Sequence, residues 1–170
     1  MNPTIRISKL LPADWQKYKD LRLEALREDS LAFGASYAEA SKHDDNHWQK
    51  RLENSENIIL VAWDNGKAIA MAAAYREEGE KVSHIAYIWG VYVGAIYRGQ
   101  GIGKKLLKDL LKEIDEIGGI EKINLNVNTT QQSAVQLYEN VGFKIIGTLH
   151  KELKIDGEYF DEHIMEKLLK

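Results

Sequence analysis

The chain predicts a mixed α/β fold in which a central twisted mixed sheet of about seven strands is flanked by about four helices. Three observations predict it. The apolar period switches repeatedly between two and 3.6 along the chain. Two turn pairs, Asn65-Gly66 and Asp156-Gly157, each separate two strand-like runs. The resulting order is strand, helices, three strands, helix, strand, helix, two strands, which implies a mixed sheet covered by helices.

Thr4 to Lys9 alternates Ile5 and Ile7 with polar neighbours and predicts a half-buried strand. After Pro12 the spacing becomes helical, with Trp15, Tyr18, Leu21, Leu23, Ala25 and Leu26 as an apolar stripe. A polar loop from Ser30 to Ser36 follows, then a short helix carrying Trp48 and Leu52, capped by Asp45 or Asn46. Ile58 to Trp63 and Lys67 to Tyr75 form a hairpin about Asn65-Gly66, and Val82 to Val93 is a longer strand. Ile102, Leu106, Leu107, Leu110, Leu111, Ile114 and Ile117 then recur at helical spacing until Gly118-Gly119. Lys122 to Asn128 alternates as a strand; Ala134, Val135, Tyr138 and Val141 share a helical face that Gly142 ends. Phe143 to Ile155 and Tyr159 to Leu168 complete the sheet as a second hairpin.

At 170 residues, with 44% hydrophobic and 29% charged side chains, the chain suits a single domain over residues 1–170 with its own core. No apolar run approaches the roughly 20 residues of a membrane span, and the start lacks a secretory pattern, so a soluble, cytoplasmic protein is expected. Cysteine is absent, which excludes disulfide frameworks, thiolate zinc sites and cysteine nucleophiles. A net charge of −3 argues against a nucleic-acid-binding surface. The lysines from Lys104 to Lys112 alternate with Asp109 as the polar face of a helix. His43 and His47, four apart, read as solvated residues beside a helix cap, so no metal is expected.

Tyr97 to Leu107, YRGQGIGKKLL, holds three alternate glycines between a strand and the strongest helix. Such a turn offers unobstructed backbone N–H groups at a helix N-terminus, an arrangement suited to phosphate. It is not a P-loop, which needs glycine where Arg98 stands and Ser or Thr where Lys105 stands. It is not a dinucleotide fingerprint either, which needs glycine in place of Lys104.

Arg98-Gly99-Gln100-Gly101-Ile102-Gly103 resembles the R/Q-x-x-G-x-G/A signature of the GNAT superfamily of acyl-CoA-dependent N-acyltransferases. About thirty residues later, Ala134 to Phe143 is similar to that family's A-x-x-L-Y-x-x-x-G-F segment. The resemblance implies a GNAT-like fold, acetyl-CoA as acyl donor, an amine acceptor and transfer by direct attack on the thioester. It further implies that Arg98, Gly99, Gln100, Gly101, Ile102, Gly103 and Lys104 hold the pyrophosphate, and that Val91 and Val93 line the pantetheine arm. Gln131 stands where the family often has a pantetheine-binding Asn, with Asn128 nearby, and either amide could serve. Tyr138 matches the tyrosine that protonates the departing sulfur. Homodimers are common in the family.

The strand from Ile85 to Val93 carries no carboxylate, so the expected base is a water chain, with His84, Glu24, Glu39, Glu77 and Glu78 as more distant candidates. The missing carboxylate also leaves a second reading, a noncatalytic acyl-CoA-binding sensor of the same fold.

Overall fold

Asn65 and Gly66 both take positive φ (48° and 82°), as do Asp156 and Gly157 (50° and 87°). Two consecutive left-handed residues make the tight turn whose twist matches that of antiparallel strands, so the chain reverses at both predicted points. The computed structural model describes residues 5–53 and 57–169; Thr4, expected to open the first strand, lies outside them.

Among the described residues, one sheet contains seven strands: β1 (Arg6–Lys9), β2 (Asn57–Asp64), β3 (Lys67–Arg76), β4 (Ile85–Val93), β5 (Lys122–Asn128), β6 (Lys144–Ile155) and β7 (Glu158–Leu168). Their spatial order is β1-β2-β3-β4-β5-β7-β6. All pairs are antiparallel except β4 with β5. The helices are α1 (Trp15–Glu28), α2 (Tyr37–Ala40), α3 (Asp45–Glu53), α4 (Ile102–Ile117) and α5 (Gln132–Glu139).

Because successive strand residues point to opposite faces, β2 is divided between two cores. Ile59, Val61 and Trp63 join Tyr18, Leu21, Ala25 and Leu26 of α1 and Trp48 of α3. Leu60 and Ala62 join Ile102, Leu106, Leu107, Leu110 and Ile114 of α4. Alanines 68, 70, 72, 73 and 74 make β3 narrow enough to lie buried between these layers.

Several expected boundaries move by a residue or more, three of them for a visible reason. The cap of α3 is Asp44, whose Oδ1 accepts from the His47 N–H at 2.8 Å, one residue before the expected pair. A carboxylate must precede the first helical residue to reach the third N–H, and Asp45 already lies within the helix. Strand β4 begins at Ile85 rather than Val82, because Val82 donates to Gly79 O and accepts from Ile85 N–H in a turn. Helix α5 stops at Glu139: Phe143 N–H bonds Tyr138 O and Gly142 N–H bonds Glu139 O, with Gly142 at φ 96°. That is a Schellman ending, and it leaves Val141 buried but beyond the helix.

Leu110 is fully buried between α4 and the sheet. Leu110→Ala should lower the unfolding free energy by about 2–5 kcal/mol. In urea titration this is read as a fall in midpoint at unchanged slope.

Candidate active site

Strands β4 and β5 pair only through Ile85, Ala86 and Tyr87 opposite Lys122, Ile123 and Asn124. Beyond that point they diverge, and a cavity of about 720 Å³ opens between them. It is lined by β4 from Tyr87 to Val93, by Asn126 and Val127 of β5, by the glycine turn, by α5, and by residues of α1 and the final hairpin.

A bulge aims β4 into this gap. Met71 faces Tyr92 but Ala73 faces Trp89, so β4 carries one extra residue against β3, and Gly90 at φ 65° absorbs it. Gly94 N–H donates to Ile69 O at 2.9 Å. Ladder alternation therefore turns the N–H and C=O of Val93, the partner of Ala70, away from β3 and toward the gap. Arg98 Nε donates to that Val93 carbonyl at 2.9 Å.

The turn after β4 fits a phosphate group. Gly99 and Gly101 take φ 74° and 78°, and a Cβ on either would meet no atom within 4 Å. Their conformation needs glycine, and the space beside them is open. Gly101 is the N-cap of α4 and supplies no side-chain cap; the first intrahelical bond is Lys105 N–H to Gly101 O. The N–H groups of Ile102, Gly103 and Lys104 are thus outside the helical ladder, at the positive end of a 16-residue helix. Gly103 has a different reason to be small: a Cβ there would lie 3.3 Å from Leu137 and 3.5 Å from Val93.

Of the residues named from the sequence, Val91, Val93, Arg98, Gly99, Gly101, Ile102, Gly103, Lys104, Gln131 and Tyr138 line this one cavity. Gln100 does not; it is exposed and its Nε2 donates to Ile96 O. Asn128 does not either: it is buried, and its Oδ1 accepts from the N–H and hydroxyl of Thr130, forming the turn that leads into α5. Asp29, at the end of α1, joins the two walls of the cavity. Its carboxylate pairs with Arg98 Nη2 at 3.3 Å and accepts from Gln131 Nε2 at 2.8 Å.

Tyr138 is buried on α5, its ring edge-to-face with Phe143 at 6.1 Å. Burial, reinforced by Tyr87, pushes its phenol well above the ordinary range, so it carries its proton at neutral pH. Tyr87 is pushed up to about 12 by burial and by the nearby Glu162.

His84, Glu39, Glu77 and Glu78 do not line the cavity. Glu24 instead accepts from the Tyr92 hydroxyl at 3.1 Å. The carboxylates that do line it, besides Asp29, are Glu152 and Glu162 of the last hairpin. Glu162 is half-buried beside Asn126, whose Nδ2 donates to it at 3.2 Å; burial raises its pKa despite that bond. His43 and His47 stack at 3.7 Å, away from this cavity.

Gly90, Asp29 and Glu162 were not named from the sequence. A glycine inside an otherwise β-branched and aromatic run is the usual mark of a bulge, so Gly90 could have been found. Asp29 and Glu162 carry no local mark, since each acquires its neighbours from segments distant in the chain.

The profile described as Acetyltransferase (GNAT) family matches residues 18–143. L-amino acid N-acetyltransferase AaaT of Escherichia coli is 27% identical over 125 residues, 73% of this chain and 76% of that protein. A GNAT-family acetyltransferase from Streptococcus pneumoniae superposes with a TM-score of 0.87 at 24% identity, covering 97% of this chain and 99% of the other. The protein yncA of Salmonella typhimurium, solved with its cofactor acetyl-CoA, superposes with a TM-score of 0.83 at 17% identity, over 98% and 95% of the two chains. These last two likenesses speak for the fold, and the profile match, which spans both glycine turn and Tyr138, speaks for descent. The chain belongs to the acetyltransferase (GNAT) family.

Proposed function

We propose that the protein is an N-acetyltransferase that moves the acetyl group of acetyl-CoA onto a primary amine of a small molecule or peptide by direct attack on the thioester. One observation carries this reading. The gap between β4 and β5 joins an open, left-handed glycine turn at a helix N-terminus to a wall bearing a protonated tyrosine and a half-buried carboxylate.

Acetyl-CoA, when bound, supplies the acyl group and the leaving thiolate. The chain's own groups do the rest. Gly99 and Gly101 keep the turn open, and the N–H groups of Ile102, Gly103 and Lys104 face an anion with the helix dipole behind them. Arg98 is held to Val93 O and Asp29, so its first effect is to fix the turn against the end of β4. Val91 and Val93 form the strand wall, Val93 offering an N–H into the gap, and Gln131 supplies the amide on the opposite wall. The Tyr138 phenol is the proton donor to the sulfur.

Glu162 is the proton acceptor for the attacking amine, directly or through water. Burial raises its pKa, which makes it a better base than an exposed carboxylate. A carboxylate facing the cavity from β7 also weakens the binding-only reading, which rested on the lack of one in β4.

Release of free coenzyme A from acetyl-CoA across a panel of amines tests the reaction; tight acetyl-CoA binding with no turnover on any amine would overturn it. Gly101→Val forces a β-branched side chain to φ 78° at the cap of α4, and calorimetry should show acetyl-CoA affinity falling by at least about tenfold. Tyr138→Phe should lower kcat by about 10²-fold or more, with acetyl-CoA affinity little changed.

Glu162→Gln should lower kcat by a similar factor and flatten the acid limb of the kcat/KM profile. The sign follows from the raised pKa: the base form is lost as pH falls, and the loss begins above the usual carboxylate range. An acid limb unchanged in Glu162→Gln would remove this residue from the role.

A further inference from the structure

Besides Asn128 Nδ2, five buried donors without a hydrogen-bond partner among the described residues belong to Tyr18, Arg22, Trp48, Arg51 and Trp89. All five lie in or against the one core cluster that holds Tyr18, Phe33 and Trp48 with Trp89 packed on it. The Arg22 guanidinium lies 4.5 Å from the Phe33 ring centre and 5.7 Å from that of Trp89; Arg51 lies 4.8 Å from the same Trp89; Tyr18 meets Trp48 edge-on at 6.1 Å. Arginine and tryptophan side chains donate and cannot accept, so these groups have almost no means of satisfying one another. Natively folded chains leave few buried donors unpaired, and a cluster of them calls for an acceptor from outside.

Arg22 is the charged member that faces the cavity. It is only 7% exposed, lines the cavity together with Phe33, Trp89 and Gly90, and its Nη1 is one of the unpaired donors. No acidic side chain among the described residues forms an ion pair with it. The nearby Asp29 is already engaged by Arg98 and Gln131. Burial, with the Arg51 charge adding to it, holds the guanidinium below its ordinary value. A cation in this condition is costly until an anion reaches it, and a carboxylate meets a guanidinium through two parallel charge-assisted bonds.

We infer that the acceptor site is built for an amine that also carries a free carboxylate, an amino acid, with Arg22 as the carboxylate's partner. This rests on the acetyl-transfer reading of the same cavity. Arg22 Nη1 sits against the Gly90 bulge, where an added Cβ would lie 3.7 Å from it. Gly90 is three residues before Val93 on β4, about 10 Å up the strand from the end that meets the glycine turn. The cation therefore lies apart from the phosphate-binding end of the cavity. With Glu162 on another wall, the cavity offers a negative group for the ammonium and a positive one for the carboxylate. A polyamine would instead bring positive charge toward Arg22, and an extended peptide's amino-terminal residue has no free carboxylate to offer.

The test compares L-amino acids with their carboxamides, which keep the amine and side chain and replace the carboxylate with a neutral amide. With acetyl-CoA saturating, wild-type kcat/KM should favour the acid over the amide by at least about tenfold, and Arg22→Met should narrow that ratio to about threefold or less. Calorimetric titration of the coenzyme A-loaded protein with the same acids and amides should show the same preference without turnover. Arg22→Lys, which keeps the charge and loses the fork, should fall between, and melting curves confirm that each variant is folded. Amides bound and acetylated as well as acids, or Arg22→Met weakening acetyl-CoA and leaving the acid-to-amide ratio intact, would overturn the inference while acetyl transfer stands. Acids bound preferentially but never acetylated would sustain the Arg22 site and refute the transfer reading. No amino acid bound in either experiment would refute the Arg22 site.

Discussion

The early end of the parallel pairing between β4 and β5 is the constraint on which the rest of the molecule depends. Three residue pairs hold the strands together, and from there each has one edge without a neighbouring strand. Backbone polar groups at such an edge are expensive to bury unpaired. The chain answers in two ways. It fills the lower end of the gap with Arg98, bonded to Val93 O, and with the Asp29 clasp to Gln131. It leaves the remainder open as the cavity lined by β4 from Tyr87 to Val93.

Helix α4 takes part in both the stability and the proposed chemistry. Its apolar stripe, Leu106, Leu107, Leu110 and Ile114, is fully buried against the alanine-rich centre of the sheet, and that burial fixes where its first turn points. Gly103 lets this turn approach Leu137 and Val93 closely, so the free N–H groups lie at the mouth of the gap rather than above it. The three alternate glycines thus answer two demands: two permit left-handed backbone beside open space, and one permits contact. On the opposite face of the sheet, α1 and α3 bring Arg22, Arg51 and their aromatic neighbours together, and among the described residues no acid pairs with Arg22. Among the described residues, the interior therefore carries an unbalanced positive group beside the cavity.

Elements with a long, strictly periodic pattern were legible in the sequence. Helix α4, both hairpins and the alternation of β5 needed only local spacing and turn chemistry, and the structure has them within a residue or two. Two of the misplaced boundaries lie where a single hydrogen bond decides. Asp44 caps α3 in place of its neighbour, and a turn before Ile85 shortens β4. The glycine turn and Tyr138 were recognisable from their motifs, because each is a contiguous segment with its own spacing. Glu162 and Asp29 were not. Nothing within several residues of either indicates that Asn126, Arg98 or Gln131 will stand beside it.

The sequence by itself determined the order of elements, the glycine turn at the head of an amphipathic helix and the family resemblance. All of these follow from local periodicity and contiguous motifs. Only the tertiary structure decided where β4 and β5 part, which carboxylates face the cavity, and that among the described residues no acid pairs with a buried arginine. Those outcomes depend on contacts between residues as far apart as Asp29 and Gln131, or Asn126 and Glu162. Such contacts arise from register and packing across the whole sheet, which local spacing does not specify.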